Sequence, residues 1–349
     1  MGWLYLRVRE RERPRVIVPV YFLAAFIAVA ALSAALSPRP LYSLGYFKKF
    51  WICSLLFVVP SAFHHRKEIE RLYCWTALGA TLSAGVGIFQ YFFSEEISLV
   101  NRITGLTGHW MTFSGLQMLS LLALMPLLVS RPVSKYLWIY PAVPIQVFAL
   151  ALSQTRSAWF GFLAGLVVLA LLISLRWLVP LILAIAGSWL VLPRHFQDRL
   201  MASFDFSDST TRIRLELLRT GWNMIRSHPF FGVGPRRVSV DYGHYNTTNE
   251  FPSWIYQHLH NNLIQIAAEL GLIALAVWIC WLLVFAAHSI GQLRGASLRE
   301  NTFAARASVC CIVALLVAGM FEYNFGDSEV LTLFLFIVTS PYVISSAEN

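Results

Sequence analysis

Charged residues are scarce in this sequence of 349 residues. They make up 13% of the chain, whereas hydrophobic residues make up 57% and the mean hydropathy is +0.62. A soluble globular domain carries about 25% charged residues. The scarcity of charge therefore excludes an ordinary soluble domain and predicts a protein that lies in a lipid bilayer.

Cysteine is also scarce, and the sequence shows neither a fixed-period repeat nor a low-complexity tract. The five cysteines all fall within segments that we predict to span the membrane, so no disulfide framework is predicted; they are Cys53, Cys74, Cys280, Cys310 and Cys311. The net charge of +9 would suit a nucleic-acid-binding protein if the chain were soluble. Membrane topology explains about half of the basic residues instead. We therefore predict no nucleic-acid partner.

Long apolar runs are abundant. A membrane-spanning helix needs about 20 mostly apolar residues. About ten such runs are present, at 17–36, 44–63, 72–93, 112–130, 136–154, 157–175, 177–192, 259–287, 304–324 and 330–346. The pattern predicts an all-α polytopic membrane protein, with transmembrane helices 1–7 in residues 1–192, a large periplasmic loop at 193–258, and transmembrane helices 8–10 in residues 259–349.

The distribution of Lys and Arg predicts the orientation, because basic residues near helix ends are retained on the cytoplasmic side. Most of those in short loops lie at 1–16, 64–71, 131–135, 176 and 288–306, and few lie in the alternate loops. Both termini are therefore predicted to be cytoplasmic. The first apolar run is longer than the 7–15 residues of a signal peptide, so we expect it to be an uncleaved span.

The loop at 193–258 contains one amphipathic stretch, "RIRLELLRTGWNMIRSHP". Its apolar residues recur at helical spacing: Ile213, Leu217, Trp222 or Leu218, and Ile225. Pro229 is expected to end the helix. We predict a helix that lies on or over the membrane face.

Three arginines on the predicted outer side are candidates for phosphate binding. Arg156 stands in a connection of only a few residues between two spans, although an arginine at a helix end often only reaches the interface. Arg212 and Arg214 open the amphipathic helix, where free backbone N–H groups and a guanidinium together suit an anion. A solvated helix face explains the same pattern.

Polar residues open the eighth predicted span, "HLHNNLIQIAAELGLIAL". Asn261, Gln265 and Glu269 are four residues apart and share one helix face, which must face the bundle interior because polar groups are costly in lipid. The helix dipole at this end favours a neutral histidine that can accept a proton. Spacing does not choose between His258 and His260, and an interfacial histidine without a catalytic role fits equally well.

Further outer-side groups could contact phosphate or sugar: Lys48, Lys49, Arg102 and His109. No pair of outer carboxylates stands at metal-ligand spacing. Asp205 and Asp208 are more consistent with a segment preceding a capped helix. The sequence therefore predicts neither a metal nor another cofactor, and charge on a leaving phosphate would be neutralised by guanidinium groups.

Four segments together resemble the O-antigen ligase and polymerase superfamily of polytopic bacterial membrane proteins. They are "NRITGLTGHWMTFSG" (101–115), "SQTRSAWFGFLAG" (153–165), "IRSHPFFGVGP" (225–235) and "HLHNNLIQIAAELGLIAL" (258–275). They occur in the family's order and cover roughly residues 100–290. Spans 1–3 and 9–10 match by topology only, and the chain is short, since members of the family often have twelve spans.

The resemblance implies a metal-independent inverting glycosyltransferase of the GT-C type in the bacterial inner membrane, with its active site facing the periplasm. Such enzymes move a glycan from undecaprenyl pyrophosphate to a hydroxyl acceptor, which for the ligases of lipopolysaccharide biosynthesis is a lipid A core sugar. By the resemblance, Arg156 and Arg212 hold the pyrophosphate and His260 accepts the proton. Asn261, Gln265 and Glu269 would orient the histidine or stabilise the bundle.

Three alternatives remain at this stage. A polysaccharide polymerase and a protein O-glycosyltransferase of the same superfamily would use the same groups on other acceptors. A solute transporter would also place polar residues inside the membrane. Inverted repeats with broken helices would favour transport, and the sequence shows no sign of them.

Overall fold

The computed structural model describes residues 15–94, 102–130, 137–203, 205, 209–248, 257–295 and 302–344. Its helices are α1 Pro19–Leu36, α2 Pro40–Ser43, α3 Leu55–Ala62, α4 Arg66–Phe93, α5 Trp110–Ser130, α6 Ile139–Leu152, α7 Arg156–Ile173, α8 Leu178–Val191, α9 Arg194–Met201, α10 Ser209–Ser227, α11 Val238–Tyr245, α12 Asn262–Gly295, α13 Phe303–Ala318 and α14 Ser328–Ile344. Three 3₁₀ segments, Leu44–Ser54, Leu175–Trp177 and Asn324–Gly326, join some of them. No strand occurs in the described ranges.

Six segments are long and apolar enough to cross a membrane: α1, the stretch Pro40–Ala62, α4, α5, α7, and Asn262–Arg294 within α12. Four shorter apolar helices, Ile139–Leu152, Leu175–Leu190, Phe303–Ala318 and Ser328–Ile344, coincide with the other four predicted spans. The prediction of an all-helical, multi-pass membrane protein is confirmed. The number of ten spans, the division at 192 and 258, and the side of the membrane that each loop faces stay predictions.

The centre of the bundle is α13, which packs against α5, α7, α12 and α14. Its contact with α7 is close because Gly161 faces Ala314 and Ala318, where a Cβ would collide with the backbone. Gly165 fits against Leu122 of α5 in the same way. Small residues bring membrane helices together because dispersion, rather than the hydrophobic effect, drives helix association in lipid.

Helix α12 is broken at Gly271, where φ is 86° and ψ is 171°. The loop formed by residues 229–234, "PFFGVG", fills the break. The N–H of Leu272 donates to the carbonyl of Pro229 at 2.8 Å, and the N–H of Gly234 donates to the carbonyl of Glu269 at 3.0 Å. A break inside a membrane helix exposes backbone polar groups that must be satisfied by protein. A loop distant in sequence thus satisfies the backbone groups that the break exposes.

Helix α10 covers the N-terminal end of α12. Leu217, Met224 and Ile225 of α10 are buried against a cluster that includes Leu259 and Ala268. The helix ends before Pro229, as the sequence predicts. Trp222, one of the two residues offered for the apolar stripe, is exposed instead.

Candidate active site

His260 has an unusual backbone. Among the described residues, only Gln154, Arg236 and His260 combine a side chain with a positive φ, of 51°, 63° and 48°. A left-handed backbone costs of order 1–3 kcal/mol at a residue other than glycine and is retained mainly where function requires it. Gln154 lies two residues before Arg156, and the other two residues line the cavities described below. The strained positions therefore converge on one region.

The imidazole of His260 is held by Glu322. Its Nδ1 lies 2.9 Å from Oε2 of Glu322, which is in the loop between α13 and α14. Burial alone would raise the pKa of Glu322, but the hydrogen bond with His260 brings that pKa below its usual value. An ionised carboxylate only accepts hydrogen bonds, so Nδ1 of His260 is the donor, and in the neutral ring the lone pair is then on Nε2. Nε2 can therefore act as a general base.

His258 lies beside this pair. Its ring centroid is 4.2 Å from that of His260, and its Nε2 is 3.8 Å from Oε1 of Glu322. Burial lowers the pKa of His258 to about 4, against the opposing effect of Glu322. A histidine with so low a pKa stays neutral at pH 7 and is a poor proton acceptor. The geometry and the chemistry both favour His260.

The two asparagines after His260 fix the loop that carries Glu322. The Asn261 amide donates to the carbonyl of Met320 at 2.9 Å, and its oxygen accepts from the N–H of Ile264 at 3.0 Å. The side-chain oxygen Oδ1 of Asn262 accepts from the N–H of Phe325 at 3.1 Å. These contacts explain why a membrane helix opens with asparagines. They hold the histidine and its carboxylate in register.

A small cavity of about 140 Å³ lies on one side of His260. Arg156 and Arg214 contribute its guanidinium groups, and the rest of its wall is mainly apolar: Phe160, Leu215, Leu218, Leu259, Met320 and Phe321, with Ser203 and Thr211. Positive charge beside apolar side chains suits a ligand with a phosphate group and a lipid tail. The cavity thus combines the two properties that a lipid-linked phosphate requires.

Positive charge is concentrated behind the small cavity. Burial and, to a smaller extent, the charges of Arg199, Arg156 and Arg214 together lower the pKa of Arg102 to about 10. The Arg102 guanidinium also lies 5.5 Å from the ring centroid of Trp110 and donates to the carbonyl of Gln154 at 3.3 Å. Arg102 remains charged at neutral pH. The four neighbouring arginines create a positive potential that favours an anion.

His260 also lines a larger, more polar cavity of about 1150 Å³. Its wall includes residues predicted from the sequence, namely Lys48, Lys49, His109, His258, Gln265 and Glu269. It also includes Tyr42, Tyr46, Arg236, Glu322, Tyr323 and Asp327, which the sequence analysis did not select. Burial raises the pKa of Asp327 and lowers that of His109. Tyrosines, carboxylates and cations together form a wall suited to a polar ligand such as a glycan.

The structure separates the predicted residues into two groups. Arg156, Arg214 and His260 meet in the small cavity, whereas Arg212 is exposed and lines neither cavity. Asn261 acts through the backbone contacts given above. The sequence analysis did not include Glu322. The sequence does contain a signal for it, because an ionisable residue near the end of the predicted span 304–324 costs free energy in lipid and so indicates function.

His258, His260 and Glu322 are also the residues best placed to hold a metal. One ligand atom from each lies within 4.8 Å of the others. Two imidazoles and a carboxylate suit a transition metal, although Nδ1 of His260 is already engaged with Glu322. The absence of a metal stays a prediction.

Comparison with known proteins supports the resemblance. A family model described as "O-Antigen ligase" matches residues 141–279, which include Arg156, Arg214 and His260. A protein of Rickettsia felis (strain ATCC VR-1525 / URRWXCal2) named "Putative polysaccharide ligase" is 25% identical over 321 residues, covering 86% of this chain and 74% of its own length.

Proposed function

We propose that this chain, which carries an O-antigen ligase domain over residues 141–279, transfers a glycan from undecaprenyl pyrophosphate to a hydroxyl acceptor. The observation that carries the proposal is the position of His260. It borders both a cavity with guanidinium groups and apolar walls and a polar cavity of glycan size. A base between two such cavities can act on a hydroxyl from one side and a phosphate ester from the other.

In the proposed reaction, the pyrophosphate lies in the small cavity against Arg156 and Arg214. Nε2 of His260 takes the proton from the acceptor hydroxyl, whose oxygen forms a bond to the anomeric carbon. The bond from that carbon to the pyrophosphate oxygen breaks, and the departing electron pair stays on the pyrophosphate, where the guanidiniums stabilise it. Attack opposite the leaving group inverts the anomeric centre. Arg214 takes the role that the resemblance gave to Arg212, because Arg214 lines the cavity.

The acceptor most consistent with the family description is a lipid A core sugar, which would make the protein an O-antigen ligase of the bacterial inner membrane with a periplasmic active site. A polymerase would lengthen a lipid-linked repeat unit with the same groups, and a protein O-glycosyltransferase would use a side-chain hydroxyl. The broken helix α12 also fits a transporter. Its backbone groups are occupied by residues 229–234 rather than presented to a solute.

The test uses the purified protein in lipid nanodiscs with a glycan on undecaprenyl pyrophosphate and a panel of acceptors, with and without EDTA. Product on lipid A core identifies a ligase, and a lengthened lipid-linked glycan identifies a polymerase. Loss of product in EDTA would replace the arginine-based reaction with a metal-dependent one at His258, His260 and Glu322. No product with any acceptor would contradict the proposed function.

A further inference from the structure

We propose that Lys49 and Arg236 form a second anion-binding subsite, in the larger cavity, which binds an acidic substituent on the acceptor glycan. The inference rests on the proposed function and deepens it by naming the chemical class of the acceptor. The substituent would be a phosphate or a carboxylate. His260 lines both the cavity that contains this subsite and the cavity of the arginines proposed to hold the donor pyrophosphate.

Arg236 has a strained backbone conformation and lies in a loop that is bound to Glu269. Its φ is 63°. The backbone N–H groups of Arg236 and Val238 lie near the side chain of Glu269, which is 5% exposed. The Gly234 N–H donates to the backbone carbonyl of the same Glu269. A polar residue of the broken membrane helix thus fixes the loop that presents Arg236 to the cavity.

Neighbouring residues also position the Arg236 side chain. Its guanidinium lies 4.8 Å from the ring centroid of Tyr42, an arrangement that attracts a cation to the ring face. Gly45 leaves the space that the guanidinium occupies, since a Cβ there would collide with Nη1 of Arg236. None of the ion pairs found within the described ranges involves Arg236. Its charge faces the cavity without a carboxylate bound to it.

Lys49 adds a second cation to the same wall. Its Nζ donates to the carbonyl of Gly326 at 2.7 Å and lies 5.7 Å from the ring centroid of Tyr323. Lys49 interacts with the negative charges of Glu269 and Asp327 and, more weakly, with the positive charge of Arg236. A bound phosphate or carboxylate would interact favourably with both cations and would accept hydrogen bonds from the guanidinium group. An uncharged sugar would not.

The experiment measures acceptor binding without donor, by isothermal titration calorimetry on the full-length protein in nanodiscs. The probes are one oligosaccharide with a phosphate monoester, the same oligosaccharide after dephosphorylation, and a matched uronic-acid oligosaccharide. We expect the wild type to bind the phosphorylated probe about tenfold more tightly than the dephosphorylated one, which corresponds to about 1.4 kcal/mol. Comparison with the uronic acid shows whether a carboxylate can replace the phosphate.

Arg236→Gln should abolish this tenfold preference and leave binding of the dephosphorylated probe unchanged, and Arg236→Lys should restore most of it. Gly45→Ala should weaken the preference because it displaces the guanidinium. Arg226→Gln is the matched control, since Arg226 also lies over an aromatic ring, 5.3 Å from Trp222, but lines neither cavity.

Equal wild-type binding of the phosphorylated and dephosphorylated probes would overturn the inference. So would an equal loss of affinity for both probes in Arg236→Gln, which would indicate a structural role, or a loss of affinity for the lipid pyrophosphate alone, which would place the donor at this subsite. Because no donor is needed, these results stand whether or not glycan transfer occurs. Failure of the transfer assay would contradict only the proposed function.

Discussion

At the scale of single residues, the site depends on a histidine and a carboxylate that are 62 residues apart in the chain. The carboxylate would set which imidazole nitrogen carries the proton and stabilise the charge that forms when Nε2 accepts one. In the proposed reaction, His260 would contact the substrate and Glu322 would be a positioning residue that acts through it. The same geometry predicts how the two residues respond to substitution.

His260→Ala is expected to lower kcat by about 10²–10⁴-fold, the contribution of a positioned general base. Glu322→Gln should also lower kcat, and the double variant should lose no more than His260→Ala alone, because residues that act as a unit are not additive. Single-turnover transfer assays measure this. Glu329→Gln, an exposed carboxylate outside both cavities, is the control. Additive losses would show that Glu322 acts independently of the histidine.

Arg214 and Arg212 provide a comparison within one helix. Arg214→Ala should lower kcat by about 10²–10³-fold, since Arg214 lines the small cavity and would stabilise the leaving pyrophosphate. Arg212→Ala should remain within a few-fold of the wild type, because Arg212 is exposed. Transfer rates at saturating donor, with expression checked in membranes, measure the difference. The opposite ranking would restore the role that the family resemblance gave to Arg212.

At the scale of elements, the break in α12 positions part of the larger cavity. It allows residues 229–234 to enter the bundle, and these residues lead directly into the loop that carries Arg236. The hydrophobic pattern of the sequence shows only that the segment is apolar. A broken helix and a continuous one have the same composition, so the break follows from the contacts of the loop and not from the run of apolar residues.

Gly271→Ala is expected to destabilise the protein by at least about 1–3 kcal/mol, because an alanine there would adopt a strained backbone. Its Cβ would also collide with the backbone of Phe230. The midpoint of thermal unfolding in detergent measures the change. Gly79→Ala, at a helical position where a Cβ meets open space, should leave that midpoint unchanged or raise it. Equal midpoints for the two variants would mean that the break is not required for stability.

At the scale of the whole molecule, the charge bias predicts that both termini lie in the cytoplasm. A green fluorescent protein fused to the C-terminus should fluoresce, and an alkaline phosphatase at the same point should be inactive, because phosphatase folds only outside the cytoplasm. A phosphatase fused after residue 192, at the start of the predicted outer loop, should be active and serves as the matched control. An active C-terminal phosphatase would reverse the orientation or change the number of spans by one.

The sequence by itself determined that the protein is helical and membrane-embedded, because apolar content and helical period are local properties of the chain. It also indicated Arg156, Arg214 and His260, because a polar or charged group near lipid costs free energy and is therefore a candidate for a function. Only the tertiary structure decided that Glu322 holds His260, that Arg214 rather than Arg212 faces the small cavity, that Arg236 joins the larger one and that α12 is broken. Each of these depends on contacts between segments distant in sequence. Such contacts are determined by how the side chains pack in three dimensions, and the spacing of apolar residues along the chain does not contain that information.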